Sequence, residues 1–145
     1  EKLNSMLIEQ RVDAAFIEIP SAIGMSNHEG SKATISLQLM KDLARILRKK
    51  NKYFLDSFTN SKSRAFITMR QYGVPTQVRQ VFLDHVEDTI LIEANLDSLA
   101  ILSHHMAVAV GIAHVKPKTL DVLRKAIPRL QKEGYQFIRL SDAVQ

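Results

Sequence analysis

Residues able to ligate a metal or move a proton recur in this chain at the ends of short apolar runs. Asn27 and His28 follow the run 22–25, Asp56 and Ser57 follow Tyr53-Phe54-Leu55, Asp84 follows Val81-Phe82-Leu83, and His114 closes the run 107–113. Carboxylates and imidazoles gathered beside an apolar core can hold a divalent cation. They can also give or take protons near neutral pH. Any one of them alone carries little weight; their recurrence over successive runs defines a candidate site. The chain has no cysteine, which excludes disulfides, thiolate ligands and a cysteine nucleophile. Ser31, Ser57 and Ser141 belong to no evident Ser-His-Asp arrangement, so a serine nucleophile is not expected.

Local roles compete for the same residues. Asp56 and Asp84 are also the residue type that caps the loop or helix following a strand, and Glu87 three positions after Asp84 fits a capping box. His28 stands among turn-formers in Ser-Asn-His-Glu-Gly-Ser, and His114 ends a run apolar enough to house a core histidine. His104 and His105 fall near a helix C-terminus, where an imidazolium is stabilised, and are read as structural.

The elements that must position these residues alternate. Helical periodicity predicts helices over 2–17, with Leu3, Leu7, Ala14 and Ile17 on one face, and over 34–49, 61–72 and 86–105. A last helix starts at Pro117, carries Leu120, Leu123, Ile127 and Leu130, and contains Pro128, where a kink is expected. Gly73 and Gly134 are placed to close two of these helices. Strands are expected at 22–25, 53–55, 81–83, 107–113 and 136–140. Apolar runs that do not alternate are buried on both faces, and alternation with helices makes their sheet parallel. Five strands do not close an eight-stranded barrel. The expectation is a single α/β domain over 1–145, either an open sheet or the C-terminal part of a β/α barrel. In both, ligands bind at the C-terminal edge of the strands.

Composition narrows the partners. The net charge of +5 is dispersed, and Lys41, Arg45, Arg48, Lys49 and Lys50 fall late in one predicted helix. No aromatics are interleaved there to stack bases, so a solvated helix face is expected and nucleic acid is not. No apolar run approaches the roughly 18–20 residues of a membrane-spanning helix, and no basic-then-apolar leader opens the chain.

Longer motifs connect these residues. The stretch Gly24-Met25-Ser26-Asn27-His28-Glu29-Gly30-Ser31-Lys32 resembles the Gly-Val-Asn-Asn-His-Met-Gly-Ser-Arg signature of the divergent polysaccharide deacetylase family. Phe54-Leu55-Asp56-Ser57, then Gly73-Val74-Pro75 and Val81-Phe82-Leu83-Asp84, follow in that family's order. Ile112-Ala113-His114-Val115-Lys116-Pro117-Lys118-Thr119-Leu120 is similar to its Ile-Gly-His-x-x-Pro-x-Thr-Leu segment, and Leu140-Ser141 to its closing strand. Ser26, Glu29 and Ala113 depart from the usual Asn, Met and Gly.

The resemblance implies a distorted β/α barrel of the polysaccharide deacetylase type, with its N-terminal strands absent from this chain. It implies a divalent metal, usually zinc, held by one Asp and two His. An aspartate base and a late histidine that protonates the leaving amine complete the chemistry. By position His28 is the metal-ligand candidate, His114 with Asp56 and Asp84 the catalytic candidates, and Asn27, Ser31 and Ser57 the substrate contacts. The implied function is a metal-dependent hydrolase of acetylated cell-envelope polysaccharide, acting outside the cytoplasm (secreted, periplasmic or in the envelope), with a cytoplasmic location as the alternative. The alternative is a non-catalytic carbohydrate-binding or envelope protein on the same fold. An Asp-Asp pair and a further strand-end histidine are expected upstream of Glu1, so the isolated 145-residue chain is expected to be inactive.

Overall fold

The computed structural model describes residues 4–144. Over them, seven helices and five strands form a mixed α/β architecture in which every strand pair is parallel. The chain divides into two compact units, one running to Val78 and taking in Val144, the other spanning Arg79–Ala143.

In the first unit, helix α1 (Ser5–Glu18) begins where the Asn4 side chain accepts the Leu7 N–H at 2.9 Å and ends just before Pro20. Its buried line is not the expected one. Ile8, Val12 and Phe16 pack into the core, Leu7, Ala14 and Ile17 are exposed, and Leu3 lies outside the described residues. Two ion pairs accompany the choice. Glu9 pairs with Lys49 at 3.2 Å and Asp13 pairs with Lys50, so seating the Ile8–Val12–Phe16 line on the neighbouring helix puts both ion pairs beside the seam. Arg45 meets Asp42 at 2.9 Å and Arg48 donates to the Gly73 carbonyl at 3.0 Å. The basic excess of that stretch is therefore largely matched by internal partners.

The helix expected over 34–49 is two, α2 (Ser31–Ile35) and α3 (Leu37–Lys49). Ser36 adopts extended backbone between them and its side chain accepts the Leu39 N–H at 3.4 Å. A serine that can bond the backbone locally competes with helix continuation, and here it ends one helix and caps the next. Met40, Leu43, Ala44 and Leu47 of α3 pack on Phe54, Met69 and Val74 to form the core. Strand β1 (Gly24–Ser26) pairs with β2 (Tyr53–Asp56), which pairs in turn with β3 (Thr76–Val78). Gly24 stands opposite Tyr53, whose ring occupies the space a Cβ would need. Helix α4 (Ala65–Gln71) is shorter than expected and is closed by Gly73 at φ 68°, the predicted left-handed position. Strand β3 was not expected, because Thr-Gln-Val is not an apolar run. The Thr76 hydroxyl secures it by donating to the Phe54 carbonyl at 2.7 Å.

In the second unit, β4 (Val81–Phe82) pairs with β5 (Gly111–Ile112) under α5 (Thr89–Ser103) and α6 (Pro117–Lys132). Leu83, Ile92, Leu96, Val122, Ala126 and Leu130 form the core. Helix α6 runs through Pro128 without ending, and Gly134 follows it at φ 100°. Two strand expectations fail here. The run 107–113 is strand only at Gly111–Ile112, and 136–140 is not strand at all, since Leu140 opens the short helix α7 (Leu140–Ala143). A strand is made by the neighbour it bonds. No described residue pairs with 136–139, and a cavity of about 410 Å³ is lined by residues of both 107–111 and 135–138.

Asp88 is the N-cap of α5 and accepts the N–H groups of Ile90 at 2.9 Å and Leu91 at 3.0 Å. Replacing it by alanine is expected to cost about 1 kcal/mol, the usual value of such a cap, measured as a lower midpoint in chemical denaturation.

Candidate functional site

The loops leaving β1 and β2 are joined by hydrogen bonds. Asn27 Oδ1 accepts the Ser57 N–H at 2.9 Å, and the Ser57 hydroxyl donates to the Asn27 carbonyl at 2.6 Å. Ser31 Oγ lies 3.2 Å from Thr59 Oγ1, which in turn donates to the Glu29 carbonyl at 3.3 Å. Asp56 is buried, and both of its oxygens serve the loop. Oδ1 accepts the Phe58 N–H at 2.8 Å and Oδ2 the Ser63 hydroxyl at 2.7 Å, while Ser63 Oγ accepts the Ala65 N–H at 3.2 Å. Ser63 thereby links the carboxylate to the first turn of α4, whose own N-cap, Arg64, makes no side-chain cap bond.

Two non-glycine residues in these loops adopt left-handed backbone, Glu29 at φ 56° and Phe58 at φ 50°. Among the described residues, the Nδ2 of Asn27 is a buried side-chain donor without a hydrogen-bond partner. His28 is exposed beside it. Of the candidates in this unit, Asn27, Ser31, Asp56 and Ser57 thus all serve in hydrogen bonds that hold these two loops. Neither Thr59, which partners Ser31, nor Ser63, which partners Asp56, was marked by any motif.

The second unit brings Asp84 and His114 together. Phe82 and Ile112 are register partners, and Asp84 and His114 each lie two residues further on, where strand periodicity returns both to the same face. His114 Nδ1 stands 3.0 Å from Asp84 Oδ1, and Asp84 Oδ2 accepts the His114 N–H at 2.8 Å and the Thr119 hydroxyl at 2.8 Å. The Asp84 side chain is wholly buried, whereas the imidazole is 42% exposed and lies 5.2 Å, centroid to centroid, from the Phe82 ring.

Burial pushes the Asp84 carboxyl up, but the Thr119 hydroxyl and the His114 amide and imidazole outweigh it and hold the group below its ordinary range. Asp84 is therefore a carboxylate at neutral pH and can only accept, so Nδ1 of His114 must be the donor. Proton exchange is left to Nε2. Asp84 does not cap α5; Asp88 does that. His104 caps the other end of α5 and its Nε2 lies 2.7 Å from the Tyr135 hydroxyl, a structural role.

The chain matches the model of the divergent polysaccharide deacetylases over residues 2–144. It belongs to that family. Two relatives are each 31% identical: an uncharacterised protein of Haemophilus influenzae over 131 residues, and the uncharacterised protein YibQ of Escherichia coli over 129. Those alignments take in 90% and 89% of this chain but 47% and 40% of the relatives. The chain thus spans less than half the length of these curated relatives. A solved structure, an uncharacterised protein of Agrobacterium tumefaciens, superposes with a TM-score of 0.86 over 94% of this chain and 57% of its own, at 18% identity. That likeness is one of fold.

Divergent polysaccharide deacetylase membership raises the question of a metal. Among the described residues, no three His, Asp or Glu side chains gather closely enough to hold an ion. The oxygens of Asp56 and Asp84 are already engaged as described. His28 is thus a single candidate ligand, and the described residues do not by themselves fit a complete metal site. None of the described helices is long and apolar enough to cross a membrane.

Proposed function

We propose that the whole protein is a hydrolase that removes acetyl groups from a cell-envelope polysaccharide outside the cytoplasm, with His114 as its proton-transfer group. The observation that carries this reading is the buried, ionised Asp84 held against His114 Nδ1 at 3.0 Å. A carboxylate behind an imidazole fixes its tautomer and ring orientation and stabilises the imidazolium. In deacetylation, water adds to the acetyl carbonyl, the bond to the sugar nitrogen or oxygen breaks, and that leaving atom takes a proton. Protonated Nε2 of His114 supplies it, a base from outside this chain takes the proton that the water gives up, and acetate departs. Asn27, Ser31 and Ser57 would shape the sugar-facing loops. A divalent cation, zinc in the resembled chemistry, would take His28 as one ligand and the others from residues outside this chain. The described residues do not complete that set.

A second reading, a carbohydrate-binding protein that keeps the fold without the chemistry, is favoured by the involvement of Asp56 and Ser57 in holding their own loops. One experiment separates the two. The full-length protein is expected to release acetate from acetylated chitooligosaccharides or peptidoglycan fragments, and His28→Ala to lower both turnover and bound metal. Glycan binding that survives chelator and His28→Ala, with no acetate released from any of these substrates, would establish the binding protein instead.

A further inference from the structure

We infer that Thr119 is a positioning residue for the His114 imidazole, its hydroxyl fixing Asp84 in the rotation that presents Oδ1 to Nδ1; this rests on the proton-transfer reading of His114. A carboxylate turns about χ2 in a broad, two-fold well, so its orientation is set by its donors. Oδ2 of Asp84 has two, the His114 N–H and the Thr119 hydroxyl, each at 2.8 Å. The first is the main-chain amide of the residue being oriented. Thr119 anchors the carboxylate from a different element, α6.

Its place in the fold suits that task. Thr119 is fully buried and is the third residue of α6, whose start is set by Pro117. Threonines in helices commonly bond a nearby backbone group, but this hydroxyl reaches a carboxylate 35 residues away in sequence. A β-branched side chain has few χ1 states, so Oγ is aimed at little entropic cost. Packing alone does not call for the hydroxyl, because valine has the same shape.

The test uses the full-length protein with ¹⁵N-labelled histidine. Thr119→Val is expected to weaken the Nδ1–H signal of His114, raise the fraction protonated at Nε2, and lower kcat roughly tenfold to a hundredfold with KM little changed. Thr119→Ser, which keeps the hydroxyl, is expected to restore both. A Thr119→Val protein with the wild-type tautomer ratio overturns the inference, as does a Thr119→Ser protein as impaired as Thr119→Val. If the wild type itself releases no acetate, the proton-transfer reading falls, while the tautomer ratio still decides whether Thr119 positions the ring.

Discussion

Asp84→Ala is expected to destabilise the protein by about 3–5 kcal/mol, as befits the loss of the one acceptor in a buried charged network. The carboxylate accepts three hydrogen bonds, and two of the donors are fixed in place. The imidazole can turn toward solvent. The Thr119 hydroxyl is fully buried and the His114 amide is part of the chain leaving β5, so neither regains water easily. Asp84→Asn should cost less, because it keeps the shape and one acceptor. It also isolates the charge. The folded carboxyl titrates below its ordinary 3.8, so its contribution is complete above about pH 4 and is lost as pH falls through the lower folded value. The stability gap between wild type and Asp84→Asn should therefore be constant near neutral pH and shrink in acid. Urea titrations between neutral pH and pH 3 measure it. A gap that widens in acid, or an Asp84→Ala protein as stable as wild type, would show that the network does not support the fold.

How much of this could be read from residue order depends on how local each feature is. The caps Gly73 and Gly134, the parallel pairing and the polar residues at the ends of apolar runs follow from short-range chemistry, and the fold has them. That Asp84 would face His114 rather than cap α5 does not follow, because Asp and Glu87 fit a capping box equally well on paper. The decision lies in the register of β4 on β5, a contact between residues 30 apart. The same holds for α1. Leu7 and Ile17 are as apolar as Ile8 and Val12, and the buried Ile8–Val12–Phe16 line is the one whose neighbours Glu9 and Asp13 meet the lysines of α3. Thr119 was visible within the Pro-x-Thr-Leu motif, yet nothing local distinguishes a threonine that anchors a carboxylate from one that simply fills a helix turn. Segment 136–140 shows the reverse error: strand composition without a strand partner among the described residues.

In the full-length protein, His114→Ala is expected to lower kcat for acetate release by about 10²–10⁴, the usual share of a general acid–base group in a rate enhancement. The exposed face of the ring and the buried carboxylate behind it are what make the residue worth that much. Without Asp84 the same imidazole would lose the acceptor that makes Nδ1 its donor. Glycan affinity should change little, since in the proposed reaction the group acts on the leaving atom rather than on the sugar, so the loss should appear in kcat and not in KM. Added imidazole should restore part of the rate, because the space vacated opens to solvent. His105→Ala, which removes an exposed histidine just beyond α5, is the control and should leave turnover unchanged. Retention of wild-type kcat by His114→Ala would remove the ring from the chemistry. The Asp84–His114 pair would then be a structural tie between the ends of β4 and β5, and the carbohydrate-binding reading would be the one to pursue.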